Sequence, residues 1–139
     1  MIQRLQTLWL LFAAICMAFM FKLSFYSGQI SEVNKENVKI LGNNTIQLGI
    51  LISIFTTLAL VLIFLYKNRK LQMRLAALNL IIALYILYCL YAQTKTVTNG
   101  TYSLTAVLPI FAIGFTISAI HCIWQDERKI KELNSNRIR

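Results

Sequence analysis

The chain has 139 residues, 58% of them hydrophobic and only 14% charged, with five glycines and one proline. Fourteen Lys and Arg against five Asp and Glu leave a formal charge of +9. Soluble domains are roughly a quarter charged, so this composition excludes disorder and argues against an ordinary soluble globule, while the length suits one domain.

The charges are clustered. Four charge-free runs, residues 5–21, 40–66, 75–94 and 96–125, hold 94 of the 139 residues. A hydrocarbon core about 30 Å thick takes roughly 20 apolar residues at about 1.5 Å of helical rise each. The sequence therefore predicts an all-α membrane protein, a single domain over residues 1–139. Its transmembrane helices fall at about 5–26, 46–66, 75–91 and 104–124, in an up-down four-helix bundle with a tail at 125–139.

The first span follows Arg4 and reaches Lys22, whose long side chain can snorkel to the interface. A cleaved signal peptide is the competing reading. The apolar stretch exceeds the usual h-region and Ala14/Ala18 lack A-x-A spacing, which favours an uncleaved span. Residues 27–45 then place Ile30, Val33, Val38 and Ile40 around Asn34-Lys35-Glu36-Asn37, and read either as a hairpin or as a polar loop. The formal glycosylation triplets Asn43-Asn44-Thr45 and Asn99-Gly100-Thr101 are common chance patterns and are discounted. The short connector Lys67–Arg74 predicts antiparallel second and third helices. Asn99-Gly100 lies between two β-favouring tripeptides, the signal of a type I′ hairpin turn. Pro109 near the start of the fourth span reads as helix-start geometry more than as a hinge. In the tail, Glu127/Lys131 and Arg128/Glu132 are opposite-charge pairs four apart, so the helix is expected to continue beyond Trp124.

Arg4, Lys67/Arg69/Lys70/Arg74 and Arg128/Lys129/Lys131/Arg137/Arg139 give ten cations on one side; Lys22, Lys35, Lys39 and Lys95 give four on the other. The positive-inside rule puts both termini in the cytoplasm. Trp9, Tyr66 and Trp124 then mark the inner boundary, and Tyr26, Tyr88, Tyr91 and Tyr102 the outer one.

Candidate chemistry is sparse. Glu32 and Glu36 fall in the outer loop and Asp126, Glu127 and Glu132 in the tail, leaving no carboxylate in a span, which disfavours a proton-coupled transporter. Cys16, Cys89 and Cys122 form no C-x-x-C and read as small apolar side chains. His121 beside Cys122 has poor chelating geometry and suits a hydrogen bond at the interface. No nucleophile or nucleotide motif appears. The reading is no enzyme, no cofactor, no metal and no nucleic acid; anionic headgroups are the expected partner of the cations. Asn79, flanked by Ala76 and Ala83, together with Gly49 and Gly114, reads as helix packing, as do the small-residue pairs Ala14/Ala18, Gly49/Ser53/Thr57 and Gly114/Ser118.

Both chain ends carry a more specific signal. The opening Met1-Ile2-Gln3-Arg4-Leu5-Gln6 and the closing Asp126-Glu127-Arg128…Arg137-Ile138-Arg139 resemble an uncharacterised bacterial family of small four-span membrane proteins, domain of unknown function 4293. Asn136 stands where the family's closing pattern has an acid, and Ile138 replaces Leu. The resemblance implies a bacterial cytoplasmic (inner) membrane location and transfers no activity. It directs attention to Gln3, Arg4, Gln6, Arg128, Lys129, Lys131, Arg137 and Arg139 as a face for a protein partner or anionic lipid. The leading expectation is a non-enzymatic accessory or scaffold subunit, with a protein partner or homo-oligomer. A small oligomeric transporter or channel is the alternative, and a lipid-modifying enzyme ranks third.

Overall fold

A computed structural model describes residues 2–29, 37–41, 45–65, 68–95 and 98–137. In chain order these form helix α1 (Ile2–Phe19), strands β1 (Ser24–Gln29) and β2 (Asn37–Leu41), helices α2 (Ile46–Phe64) and α3 (Arg69–Thr94), and strand β3 (Thr98–Tyr102). A 3₁₀ turn (Leu104–Val107) then leads into helix α4 (Leu108–Arg137). Three helical segments are long and apolar enough to cross a membrane, Ile46–Phe64, Arg69–Thr94 and Leu104–Ile130, with mean hydropathy 2.5, 2.1 and 2.1; Leu5–Phe19 is a shorter apolar helix.

The helices pack in a ring, α1 against α2 and α4, and α3 against the same two. The buried positions of α3, Gln72, Ala76, Asn79, Ala83, Ile86 and Leu90, alternate steps of four and three, as do Ala112, Thr116, Ala119, Ile123 and Asp126 on α4. That is a 3.5-residue period, the signature of near-parallel helices that keep one seam toward a partner. Much of the seam is alanine: Ala13, Ala59, Ala76, Ala83, Ala112 and Ala119 are all fully buried. Small side chains let backbones approach where no hydrophobic effect separates helix from lipid. Other large apolar side chains cover the exterior, among them Phe12, Ile15, Phe64, Ile81 and Phe111.

The core falls into two clusters. One, at the end carrying the strands, holds Met17, Met20, Leu48, Ile52, Phe55, Ile86 and Leu90. The other holds Leu10, Leu62, Ala76, Ala119 and Ile123 at the end carrying the α2–α3 connector. These are called the sheet end and the basic end below. Side-chain bonds tie α2 to α3 at both: Gln93 Nε2 donates to Thr45 Oγ1 at 2.7 Å, and Gln72 Nε2 to the Leu62 carbonyl at 2.9 Å. The second bond satisfies one of the last four carbonyls of α2, which have no partner within the helix.

The connectors at the sheet end form a three-stranded antiparallel sheet of order β2-β1-β3. Two irregularities shape it. Between Ser24 and Tyr26 the β1–β2 register shifts, leaving Phe25 as an extra residue on β1. A regular strand sends neighbours to opposite faces, yet Phe25 and Tyr26 are both buried, 5% and 8% exposed; the bulge allows both to turn into the bundle. Their rings meet Tyr102 edge-on at centroid distances of 6.0 and 4.9 Å. Ser103 N–H bonds to the Phe25 carbonyl at 3.1 Å, and the Thr105 hydroxyl donates to the Ser24 carbonyl.

Several sequence expectations are corrected here. The first helix ends at Phe19, and the predicted span to residue 26 instead turns and enters β1. Tyr26 is accordingly a core residue of the sheet. Asn99-Gly100 makes no hairpin turn; it lies inside β3, where two residues face Gly28 alone between the pairs Ser27↔Thr101 and Gln29↔Thr98. The same tolerance for unusual backbone angles that suits a tight turn suits a bulge. The α3 helix runs beyond both predicted ends, because Arg, Lys, Leu, Gln and Met are good helix formers irrespective of hydropathy. A hairpin does form from β1 and β2, with its first strand starting at Ser24; Ile30, Val33 and Asn34-Lys35-Glu36, on which the expectation partly rested, lie outside the described residues. Pro109 is the second residue of α4, a helix-start position, and α4 continues through the charged tail to Arg137.

Candidate functional site at the basic end

The start of α1, the end of α2, the start of α3 and the far end of α4 meet at the basic end, below the small cluster built on Leu10, Leu62 and Ile123. Three polar side chains are buried there: Gln6 at 7% exposure, Gln72 at 2% and Asp126 at 6%. Each continues a packed stripe by one step. Gln6 precedes Leu10, Gln72 precedes Ala76, and Asp126 follows Ile123, so the seam carries them inward. Two sequence assignments are thereby corrected: Gln6 does not lie on an exposed face with the tail cations, and Asp126 is a bundle residue, not part of a solvated tail.

Between the start of α3 and the extension of α4 lies an open cleft of about 720 Å³, lined by Asn68, Arg69, Lys70, Leu71, Arg74, Glu127 and Ile130. Asn68 stands at the N-cap of α3 but makes no capping side-chain bond, and the first helical turn holds no acid. Cations at a helix N-terminus oppose its dipole, and Lys70 and Arg74 are like charges four apart. No ion pair involves Arg69, Lys70 or Arg74 among the described residues. The sequence marked these cations only as indicators of topology; the cleft depends on how far α4 extends past Trp124.

The remaining predicted face is less concentrated. Arg128 is engaged along its own helix, with Nε 3.3 Å from Glu132 Oε1 and the guanidinium 5.8 Å from the Trp124 ring centroid. That pair is two-thirds exposed and contributes little to stability in water. Lys129 is exposed. Gln3 and Arg4 lie on the first turn of α1, and Lys131 and Arg137 on the extension of α4. Arg139 falls outside the described residues.

The three packing residues behave differently from one another. Gly49 is buried on α2, and Asn79 is fully buried on α3 between Ala76 and Ala83. Neither amide atom of Asn79 has a hydrogen-bond partner among the described residues. Gly114 faces outward, and a Cβ there would meet nothing within 4 Å among the described residues, so no described helix is seated on it. The associated hydroxyls turn back onto their own helices: Ser53 to Gly49 O at 2.8 Å, Thr57 to Ser53 O at 2.8 Å and Ser118 to Gly114 O at 2.9 Å. The other candidate groups are also locally engaged. His121 Nε2 lies 2.8 Å from Gln125 Nε2, one turn along α4, and all three cysteines are free thiols. Among the described residues, no three His, Cys, Asp or Glu gather into a metal-binding group.

The model of the family described as domain of unknown function DUF4293 matches residues 2–138, and the chain belongs to that family. No curated protein and no solved structure matches it.

Proposed function

We propose that this member of the DUF4293 family is a non-enzymatic integral protein of the bacterial cytoplasmic membrane, crossing it four times with both termini inside. We further propose that it serves as an accessory or scaffold subunit whose basic end meets anionic headgroups and a protein partner. The observation that carries this reading is an exterior of exposed bulky apolar side chains around helices that meet at buried alanines. Alanines line the helix seams, bulky apolar side chains face outward, and Met17, Met20, Ile52, Phe55 and Ile86 fill the interior of the sheet-end half. Such a bundle has a lipid-compatible exterior. The α1 spiral also supports a fourth crossing. Beyond Phe19, the N–H groups of Met20, Phe21, Lys22 and Leu23 bond back to carbonyls three or four residues earlier. The 18 residues of α1 span about 27 Å at about 1.5 Å per residue, and these turn bonds carry the chain on to Leu23.

One observation favours the alternative, a small oligomeric transporter or channel. Asn79 and Thr116 are fully buried polar residues on facing helices α3 and α4, and polar groups inside membrane bundles often mark pathways. Reconstitution separates the two readings. The scaffold reading expects a stoichiometric partner on purification in mild detergent, and liposomes holding the purified protein that carry no solute. Substrate-specific flux from those liposomes would overturn it.

A further inference from the structure

The cleft between α3 and α4 combines unbalanced positive charge with an apolar wall. Arg69, Lys70 and Arg74 face the single carboxylate Glu127. They stand at the end of α3 where the helix dipole is itself positive, with no acid in the first turn. Three cations against one carboxylate leave the cleft net positive, so the arrangement suits an anion from outside the fold. We propose that the cleft binds the phosphate headgroup of an anionic glycerophospholipid; this inference rests on the proposed orientation, which puts the basic end in the cytoplasmic leaflet.

Two features favour a lipid phosphate over a free one. The cleft includes Leu71 and Ile130, 48% and 38% exposed. Leu78, seven residues beyond Leu71, is 46% exposed on the same face of α3. An acyl chain can lie along Leu71 and Leu78 while the headgroup meets Arg69, Lys70 and Arg74; inorganic phosphate would leave that apolar strip unused. The second feature is location. The cleft opens at the junction of two helices long and apolar enough to cross a membrane, one beginning and one ending there, which is where basic pockets meet headgroups. Guanidinium groups suit the task, because their planar donors grip two phosphate oxygens at once.

Native mass spectrometry of the full-length protein tests the proposal, after equilibration with phosphatidylglycerol or phosphatidylcholine in mild detergent. Wild type is expected to retain phosphatidylglycerol about tenfold over phosphatidylcholine, an order of magnitude set by clustered cations near a headgroup. The R69Q/K70Q/R74Q variant should lose that preference, whereas R128Q/K129Q, at exposed positions outside the cleft, should keep it. Equal losses in both variants, or no preference in wild type, would overturn the site. Circular dichroism checks that the triple variant is folded; where it is not, R74Q alone is expected to lower the preference about threefold, and an unchanged preference counts against the proposal. The L71N/L78N variant should weaken phosphatidylglycerol retention. If it does not, and inorganic phosphate displaces the lipid, the anion is free phosphate and the lipid assignment fails. Maleimide labelling of K70C from either side of the membrane, in a variant whose free thiols Cys16, Cys89 and Cys122 are replaced by serine, reports orientation separately. Labelling from outside sinks the topology, whereas a failed lipid preference with inside labelling sinks only the cleft.

Discussion

The two ends of the bundle are closed in opposite ways. At the sheet end, connectors fold onto the helices: Phe25 and Tyr26 enter the core, Tyr102 stacks edge-on against both, and backbone bonds pair three strands. At the basic end the buried residues are few and partly polar, and the charged ends of α3 and α4 stand apart around a cleft. The difference teaches where each end draws its stability. The sheet end is held by apolar burial and a continuous ladder. The basic end is held by backbone capping from Gln72 and by alanine-mediated approach, with Arg69, Lys70 and Arg74 in no ion pair among the described residues.

The largest expected effect breaks the sheet end. Phe25→Ala removes a buried ring from the sheet-end cluster and should lower stability by about 3–5 kcal/mol, read by thermal unfolding in detergent. A loss no greater than that of an exposed substitution would show the cap to be an ornament on the bundle. Next, Ala76→Leu forces bulk into the basic-end seam, where Ala76 is fully buried, and should cost about 1–3 kcal/mol. Gly114→Ala, where a Cβ meets nothing, should instead be neutral or stabilising by up to about 1 kcal/mol. A clear loss at Gly114 would point to a helix from another molecule on that face.

Asn79 lies between the two clusters and tests the middle of the bundle. An unpartnered buried amide carries a penalty of about 1–3 kcal/mol, so Asn79→Leu should raise the melting temperature. A fall would mean that the amide is engaged in the assembled membrane protein, which favours the transport reading. At the basic end, Gln72→Ala removes the bond to the Leu62 carbonyl and should cost about 1 kcal/mol. Glu132→Gln, which breaks the exposed pair with Arg128, should change stability by less than about 0.5 kcal/mol.

Much of the architecture was legible in the residues. Helix positions followed from charge-free runs, and the family from Met1–Gln6 and the closing charged stretch, in agreement with the match over residues 2–138. The inward face of α3 was legible at Ala76, Asn79 and Ala83, since small residues at seam spacing have few other uses in a membrane helix. The candidate site was less so. Gln6 was grouped with the tail cations and Asp126 with the tail, yet each is set inward by the 3.5-residue stripe of its helix. Gly114 looked like packing and faces outward. Helices apolar on every side carry no amphipathic signal from which the inner face can be read.

By itself, then, the sequence determined composition-driven facts: apolar lengths, clustered charge and family membership. These depend on one residue at a time, or on neighbours within a window. Tertiary structure alone decided which face of each helix turns inward, that two bulges bring Phe25 and Tyr26 into the core and absorb Asn99-Gly100 into a strand, and that Arg69, Lys70 and Arg74 share a cleft with Glu127 and Ile130. Each of those outcomes is set by contact between segments far apart in the chain. Where every helical face is equally apolar, only the fit of one helix against its neighbours can choose among them.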